Sequence, residues 1–451
     1  MGSQTMAPDG LRAGAAKVVI TPPIGGRMQS GAPDRFAAGI LDQLYARALV
    51  LDDGVTRLAL VSVDVIGFEP ESTARIRRLV AEATGIAGGQ VMVCPSHTHS
   101  GPAVLWRTLD PCDRGLLGIL EEQVAGAVML AAGALRAAEM RLGEGLVPFA
   151  ANRRVITADG VVMQPNYGGP VDRRARVLTI YPTGTAAAGG APLGVIVHAV
   201  CHPTVLSTPS RLYSGDYPAT AQAIIEHVYG EGDTVALFVQ GCCGNVRPLV
   251  VAPGGQAFRE GLAPDARRFG RVLGGQAIAA VEMATPLRAT PLAAASRPVS
   301  LPLDAPPSAE ELRHQKAAAD LPRWAIAWTG RMLDILETRG SLPEAEEAEV
   351  QAFRIGDLLL VALPGEPFLE LGLAIEDRLR QVAPSCTIMV AGYANNECGY
   401  LCTGQACAEG GYEPAQAFRF YGRPAPFAPA VERIIVEAGV ELAGTLLGGA
   451  R

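Results

Sequence analysis

The stretch VMVCPSHTHSGPAV (residues 91–104) decides how the rest of the chain is read. It begins as a short apolar run, closed by a proline, of the kind that forms a buried strand. It then breaks into two histidines, His97 and His99, one residue apart. Side chains two apart on an extended segment point to the same face. Both imidazoles are therefore expected to look into one place just past a strand end. The chain has only six histidines in 451 residues, so two within three positions suggest a metal or catalytic site. A hydrogen-bonded turn is the plainer account, and partners elsewhere must decide between them.

Composition sets the outer limits. Length alone suggests two or three domains, and 49% hydrophobic with 18% charged residues describes a globular chain with a generous interior. A net charge of −7 leaves no basic stripe to neutralise phosphates, so nucleic acid is not an expected partner. The opening MGSQTMAPDGLRAGAAKVV lacks an apolar core of signal-peptide length, and Met6 stands where a myristoylation pattern needs Ser or Thr. The apolar run AVMLAAGAL before Arg136 is too short to span a bilayer, so no membrane partner is expected. Nine cysteines cannot all pair, and none forms a zinc-ribbon pair. Free thiols in a reducing cytoplasm are the expectation. The expected partner is a small-molecule substrate, with self-association into a homo-oligomer left open.

Apolar, strand-like runs recur at 57–67, 90–96, 192–202, 234–241, 357–365 and 386–392. Their near-continuous Val, Ile and Leu content indicates strands covered on both faces. Helical patterns lie at 70–85, 121–139, 217–229, 264–284 and near the C-terminus, where Val431, Ile434, Ala438 and Leu442 form a stripe. QAFRIGDLLLVAL (351–363) reads as a hairpin turning at Ile-Gly-Asp. These elements predict an α/β fold of mixed β-sheets flanked by helices, with a metal site beyond the strand ends. Residues 1–14 are expected to be disordered and 15–447 to form one catalytic unit, with a proline-rich linker at 296–312 and a helical insertion at 313–340.

Four segments share one design: an apolar strand, a glycine or proline break, then a potential ligand. They lead to His97 and His99, to His202, to Glu366 in DLLLVALPGE, and to Tyr400 in CTIMVAGYANNECGY. Ligands in open α/β sheets gather beyond the carboxyl ends of strands. Two imidazoles, a carboxylate and an open position make a catalytic zinc arrangement. His198, inside its apolar run, reads as a core histidine. Cys242 and Cys243 read as inert buried thiols.

SHTHSGP, CHPTVLSTPSRLYSGDYPA, LPGEP and GYANNECGYL…GGYE together resemble the neutral/alkaline non-lysosomal ceramidase family. VVITPPIGG, GILDQLYARALVLDDG and LALVSVDV fit its N-terminal pattern, and the similarity runs from about Ala15 to Leu447. The resemblance implies a zinc ion held by His97, His202, Glu366 and Tyr400. It implies that His99 and Arg153, of the Asn152-Arg153 pair, face the scissile carbonyl of an amide. Asp64 and Asp216 are expected to orient liganding imidazoles, with helix capping as the plainer role for Asp216. Two departures stand out. Where ceramidases have Gly-Asp-Val-Ser-Pro with an essential serine, this chain reads GNVRP, so Asn245 replaces the aspartate and Arg247 the serine. The family's C-terminal immunoglobulin-like domain also has no counterpart in the sequence. Asn245, Arg247 and Tyr412 of GGYE are expected to contact substrate. The activity expected is zinc-dependent hydrolysis of a non-peptide amide in a small polar or anionic molecule. A lactonase or esterase, a zinc lyase or isomerase, and an inactive zinc-dependent binding protein are the alternatives.

Overall fold

A computed structural model describes residues 10–448 apart from 30–33, 110, 207–208, 231 and 318–321. Three walls of β-structure surround one aliphatic core. The first wall holds Arg12–Val19, Tyr45–Asp52, Arg57–Val63 and Val91–Pro95; the second holds Arg136–Leu146, Arg174–Pro182, Gly194–Ala199 and Val235–Gln240. A two-residue pairing of Arg12 and Ala13 with Ala137 and Arg136 joins these walls into one sheet, whose ninth strand, Thr285–Leu287, pairs with Arg136–Leu146 off the main path. That sheet curls until Ser62 Oγ on one arm donates to Phe238 O on the other, at 2.7 Å. The third wall is a separate four-stranded sheet of Leu292–Pro302, Ala345–Ile355, Leu358–Ala362 and Thr387–Ala391.

Leu49, Leu60, Leu178, Ile196, Phe353 and Leu360 meet inside. Each wall is backed by its own helices. Pro70–Thr84 and Arg114–Gly133 cover the first, Asp216–Tyr229 and Ala263–Glu282 the second, Leu369–Val382 and Ala430–Thr445 the third. Strands thus bury both faces, which accounts for their unbroken apolar runs. The helix ends follow local chemistry. Pro70 needs no partner for the hydrogen its nitrogen lacks, and Gly85 takes a φ of +74° to close its helix. Asp113 accepts from the amides of Gly115 and Leu116 to cap the next one.

Several boundaries differ from expectation. The N-terminal strand begins at Arg12, within the segment expected to be disordered, and residues 1–9 lie outside the described ones. The helix expected at 121–139 is Arg114–Gly133, and a strand starts at Arg136, its Ala138 and Met140 alternating inward. Residues 296–302 are not linker but the end of Leu292–Pro302. That strand lies at the edge of its sheet, where Pro298 and Pro302 need supply no ladder donor. The insertion forms helices Ala309–Ala317 and Arg323–Arg339 over a small core of Leu312, Trp328, Met332 and Phe418. On the last helix Ile435, not Ile434, completes the buried stripe. By length and composition Arg114–Gly133 could cross a membrane, which the apolar-run reading did not anticipate. Its Leu117, Leu120, Val124 and Val128 pack against the first wall.

Candidate metal centre

Each wall contains one parallel strand pair: Arg57–Val63 with Val91–Pro95, Gly194–Ala199 with Val235–Gln240, and Leu358–Ala362 with Thr387–Ala391. Their carboxyl ends point to one corner, and each wall delivers a candidate donor there. His97 follows the first pair, His202 the second and Glu366 the third. His97 is not extended as the spacing argument assumed; its φ is +63°. The turn is held by His97 N donating to Val65 O at 3.0 Å, and it still brings the rings of His97 and His99 to 5.0 Å. Tyr393 and Asn395 share this left-handed conformation. Such strain gathers where surrounding contacts over-determine a functional site. Asn395 stitches the third wall to the first, exchanging bonds with the Val93 amide and carbonyl.

Glu366 Oε2 lies 3.0 Å from His202 Nε2 and 3.4 Å from His97 Nε2. The nitrogens of His97, His99 and His202 all fall within 4.8 Å of one another. Four of these buried atoms have no hydrogen-bond partner: Nε2 of each histidine and Oε2 of Glu366. Unsatisfied buried polar atoms are rare and costly, and here they converge. Ligand atoms at about 2.0–2.2 Å from a tetrahedral zinc stand roughly 3.4 Å apart, so the spacing fits such an ion.

The imidazoles are aimed by backbone. His97 Nδ1 bonds Ile66 O at 2.6 Å and His202 Nδ1 bonds Cys243 O at 2.9 Å. A carbonyl can only accept, so Nδ1 carries the hydrogen and Nε2 presents its lone pair. Asp64 and Asp216 do not do this, contrary to expectation. Asp64 binds Arg47 and the Tyr45 amide, while Asp216 accepts from the Leu206 and Tyr217 amides. Their own neighbourhoods satisfy them first. Burial would raise the Glu366 carboxyl, but His97 and His202 outweigh it and hold it well below the usual range. Burial keeps His202 neutral, down to about 4. Burial, then the charges of His97 and His202, lowers His99 well below the ordinary value. Imidazole nitrogens beside a carboxylate are the donor types a divalent metal takes.

Glu366–Pro367 pairs in parallel with Tyr400–Leu401, which sets Glu366 opposite Tyr400. The Tyr400 hydroxyl accepts from Arg153 Nη2 at 2.9 Å. Arg153 stands at a register shift in Ala150–Thr157, a bulge that re-aims its side chain. Its Nε donates to Glu413 at 2.8 Å, and Arg154 holds the other oxygen of Glu413. Tyr412 packs against Tyr400 and lines a cavity of about 620 Å³ with Trp324, Trp328 and Phe420. The Asn245 side-chain amide donates to Glu370 and accepts from the Leu369 N–H, fixing the start of Leu369–Val382. Arg247 stands beside this group, over the ring of Phe258. His198 bonds Val390 O, as a core histidine would. Burial pushes the thiols of Cys242 and Cys243 far up, so neither is a nucleophile at neutral pH.

Sequence reasoning missed Tyr421, whose hydroxyl donates to Glu366 Oε1, and Glu397, whose Oε2 lies 3.7 Å from His97 Nδ1. Glu397 sits inside GYANNECGY and could have been suspected from that motif. Tyr421 carries no local signal.

Residues 12–263 match the family model described as neutral/alkaline non-lysosomal ceramidase, N-terminal. The chain belongs to that family and is a hydrolase of the ceramidase type. Among solved structures it is similar to the neutral ceramidase of Pseudomonas aeruginosa, with a TM-score of 0.76 and 21% identity, over 97% of this chain and 74% of that one. A ceramidase complexed with C2 is similar at a TM-score of 0.75 and 19% identity, over 97% and 75%. At these identities the likeness establishes the fold. No curated protein matches the sequence.

Proposed function

We propose that the chain is a zinc-dependent hydrolase that cleaves a non-peptide amide bond in a small polar or anionic substrate. The observation that carries this reading is the convergence of four partnerless buried donors from His97, His99, His202 and Glu366. A zinc ion bound there would act as a Lewis acid and bring the pKa of a coordinated water toward about 7. His97, His202 and Glu366 are fully buried and rigidly aimed, as ligands need to be. Tyr400, with Arg153 donating to its oxygen, can join them or offer its own hydrogen to substrate. His99 is partly exposed and its Nε2 is free, which suits a contact to the scissile carbonyl. Arg153 would add its charge to the developing oxyanion, an effect of roughly 3–4 kcal/mol for a well-placed donor. With an arginine at 247 and raised thiols at 242 and 243, attack by water is simpler than an acyl-enzyme. The aromatic cavity beside Tyr412 suits an apolar portion of the same molecule.

The test is a substrate panel of N-acyl compounds, esters, lactones and long-chain ceramide in mixed micelles, scored for release of free acid and matching amine or alcohol. Zinc-dependent turnover of small amides is the expected result. Preference for esters or lactones would replace the amide assignment, and ceramide turnover exceeding that of small amides would overturn the polar-substrate reading.

A further inference from the structure

Of the arginines on the paired strands Ala150–Thr157 and Val246–Pro248, Arg153 and Arg154 have a carboxylate partner in Glu413. Arg153 donates to Glu413 and Tyr400, and Arg154 to Glu413, Glu409 and Gly410 O. Arg247 differs. Its Nε is buried with no partner, and Nη1 reaches only the Met163 sulfur at 3.9 Å. Its guanidinium stacks over Phe258, 4.2 Å from the ring centroid. Among the described residues no carboxylate lies within ion-pair distance of it. Burial, then the like charge of Arg153, lowers its pKa to about 10. The backbone places it at the centre: Val246 O accepts from the His202 amide, and Asn245 O from the Arg153 amide. Leaving a guanidinium poorly solvated and unpaired is unfavourable, whereas its planar fork matches an oxyanion with two parallel bonds.

We infer that Arg247 is the receptor for a terminal oxyanion of the substrate, a carboxylate or phosphate carried on one half of the amide. This rests on the amide-hydrolase reading and narrows its substrate class to acylated amino acids or acylated amino-alcohol phosphates. Phe258 and Met163 hold the guanidinium from the sides without neutralising it, leaving its charge for the ligand.

The experiment measures binding of three probes to the zinc-loaded protein: N-acetylglycine, N-acetylethanolamine phosphate, and neutral N-acetylethanolamine. At least one anionic probe should bind tenfold or more tighter than the neutral one, and which of the two binds tighter identifies the oxyanion. Arg247→Ala should erase that gap with zinc content unchanged, and Arg247→Lys should restore only part of it. Equal affinity for all three probes, no binding of any, or a gap that survives in Arg247→Ala would overturn the inference. Hydrolysis is followed in parallel. An anion preference without cleavage of any N-acyl compound counts against the amide reading alone, and cleavage without preference counts against Arg247 alone.

Discussion

Tyr421 donates its phenolic hydrogen to Glu366 Oε1, so the carboxylate can turn only Oε2 toward the histidines. Partners of this kind typically contribute 10–100-fold to metal affinity. Tyr421→Phe should weaken zinc binding by about that factor in a folded protein. A competitive chelator titration measures it, and an unchanged affinity would show that Glu366 needs no orienting partner.

His97→Ala and Glu366→Ala should lose zinc outright, because each removes one wall's contribution to the corner. A ligand bound only by the folded state stabilises it by about 2.7 kcal/mol at a hundredfold excess over Kd. Zinc should therefore raise the Tm of the wild-type chain and leave both variants unmoved. Full zinc occupancy in either variant would sink the ligand assignment.

Arg153→Ala should reduce kcat by about 10²–10³-fold, as removal of an oxyanion donor does, while zinc content stays at the wild-type level. Glu413 keeps Arg154 as partner, so the fold has no new unpaired acid to accommodate. Steady-state kinetics with matched metal analysis separates this from a loss confined to KM.

Asp42 offers a pH test that does not involve the candidate donors. Burial raises its carboxyl from 3.8 to about 7; a hydrogen bond from Ser214 opposes the rise, and the charges of Asp64 and Asp216 add to it. The folded state thus holds this proton more tightly than the unfolded one. Stability is complete below the unfolded value and is lost as pH rises toward 7. Asp42→Asn should gain Tm over wild type at pH 8 and show almost no gain below pH 4. A constant difference across that range would remove the titration as its cause.

What was legible in the sequence is what repeats or what is chemically rare. Continuous apolar runs marked the doubly covered strands, and His97, His202 and Glu366 stood out as polar residues ending such runs. Strands such as Arg136–Leu146 and Leu292–Pro302 were not legible, because their alternation is diluted by alanine, charge and proline. Asp64 and Asp216 were misjudged because a carboxylate's partner depends on which groups tertiary packing brings near it, here Arg47 and two backbone amides. Tyr421 escaped for the same reason, since its partner lies 55 positions away.

The interior shared by the three walls is aliphatic, and aliphatic contact resists separation far better than it resists sliding. The ligand corner is directional, and a point defined by three planes moves when any one plane tilts. Leu273 behind the second wall and Leu379 behind the third are therefore part of what keeps the donors in focus, though neither comes near an imidazole. Loosening either helix would shift one donor against the other two, so the fidelity of the centre depends on the outermost layer of the molecule.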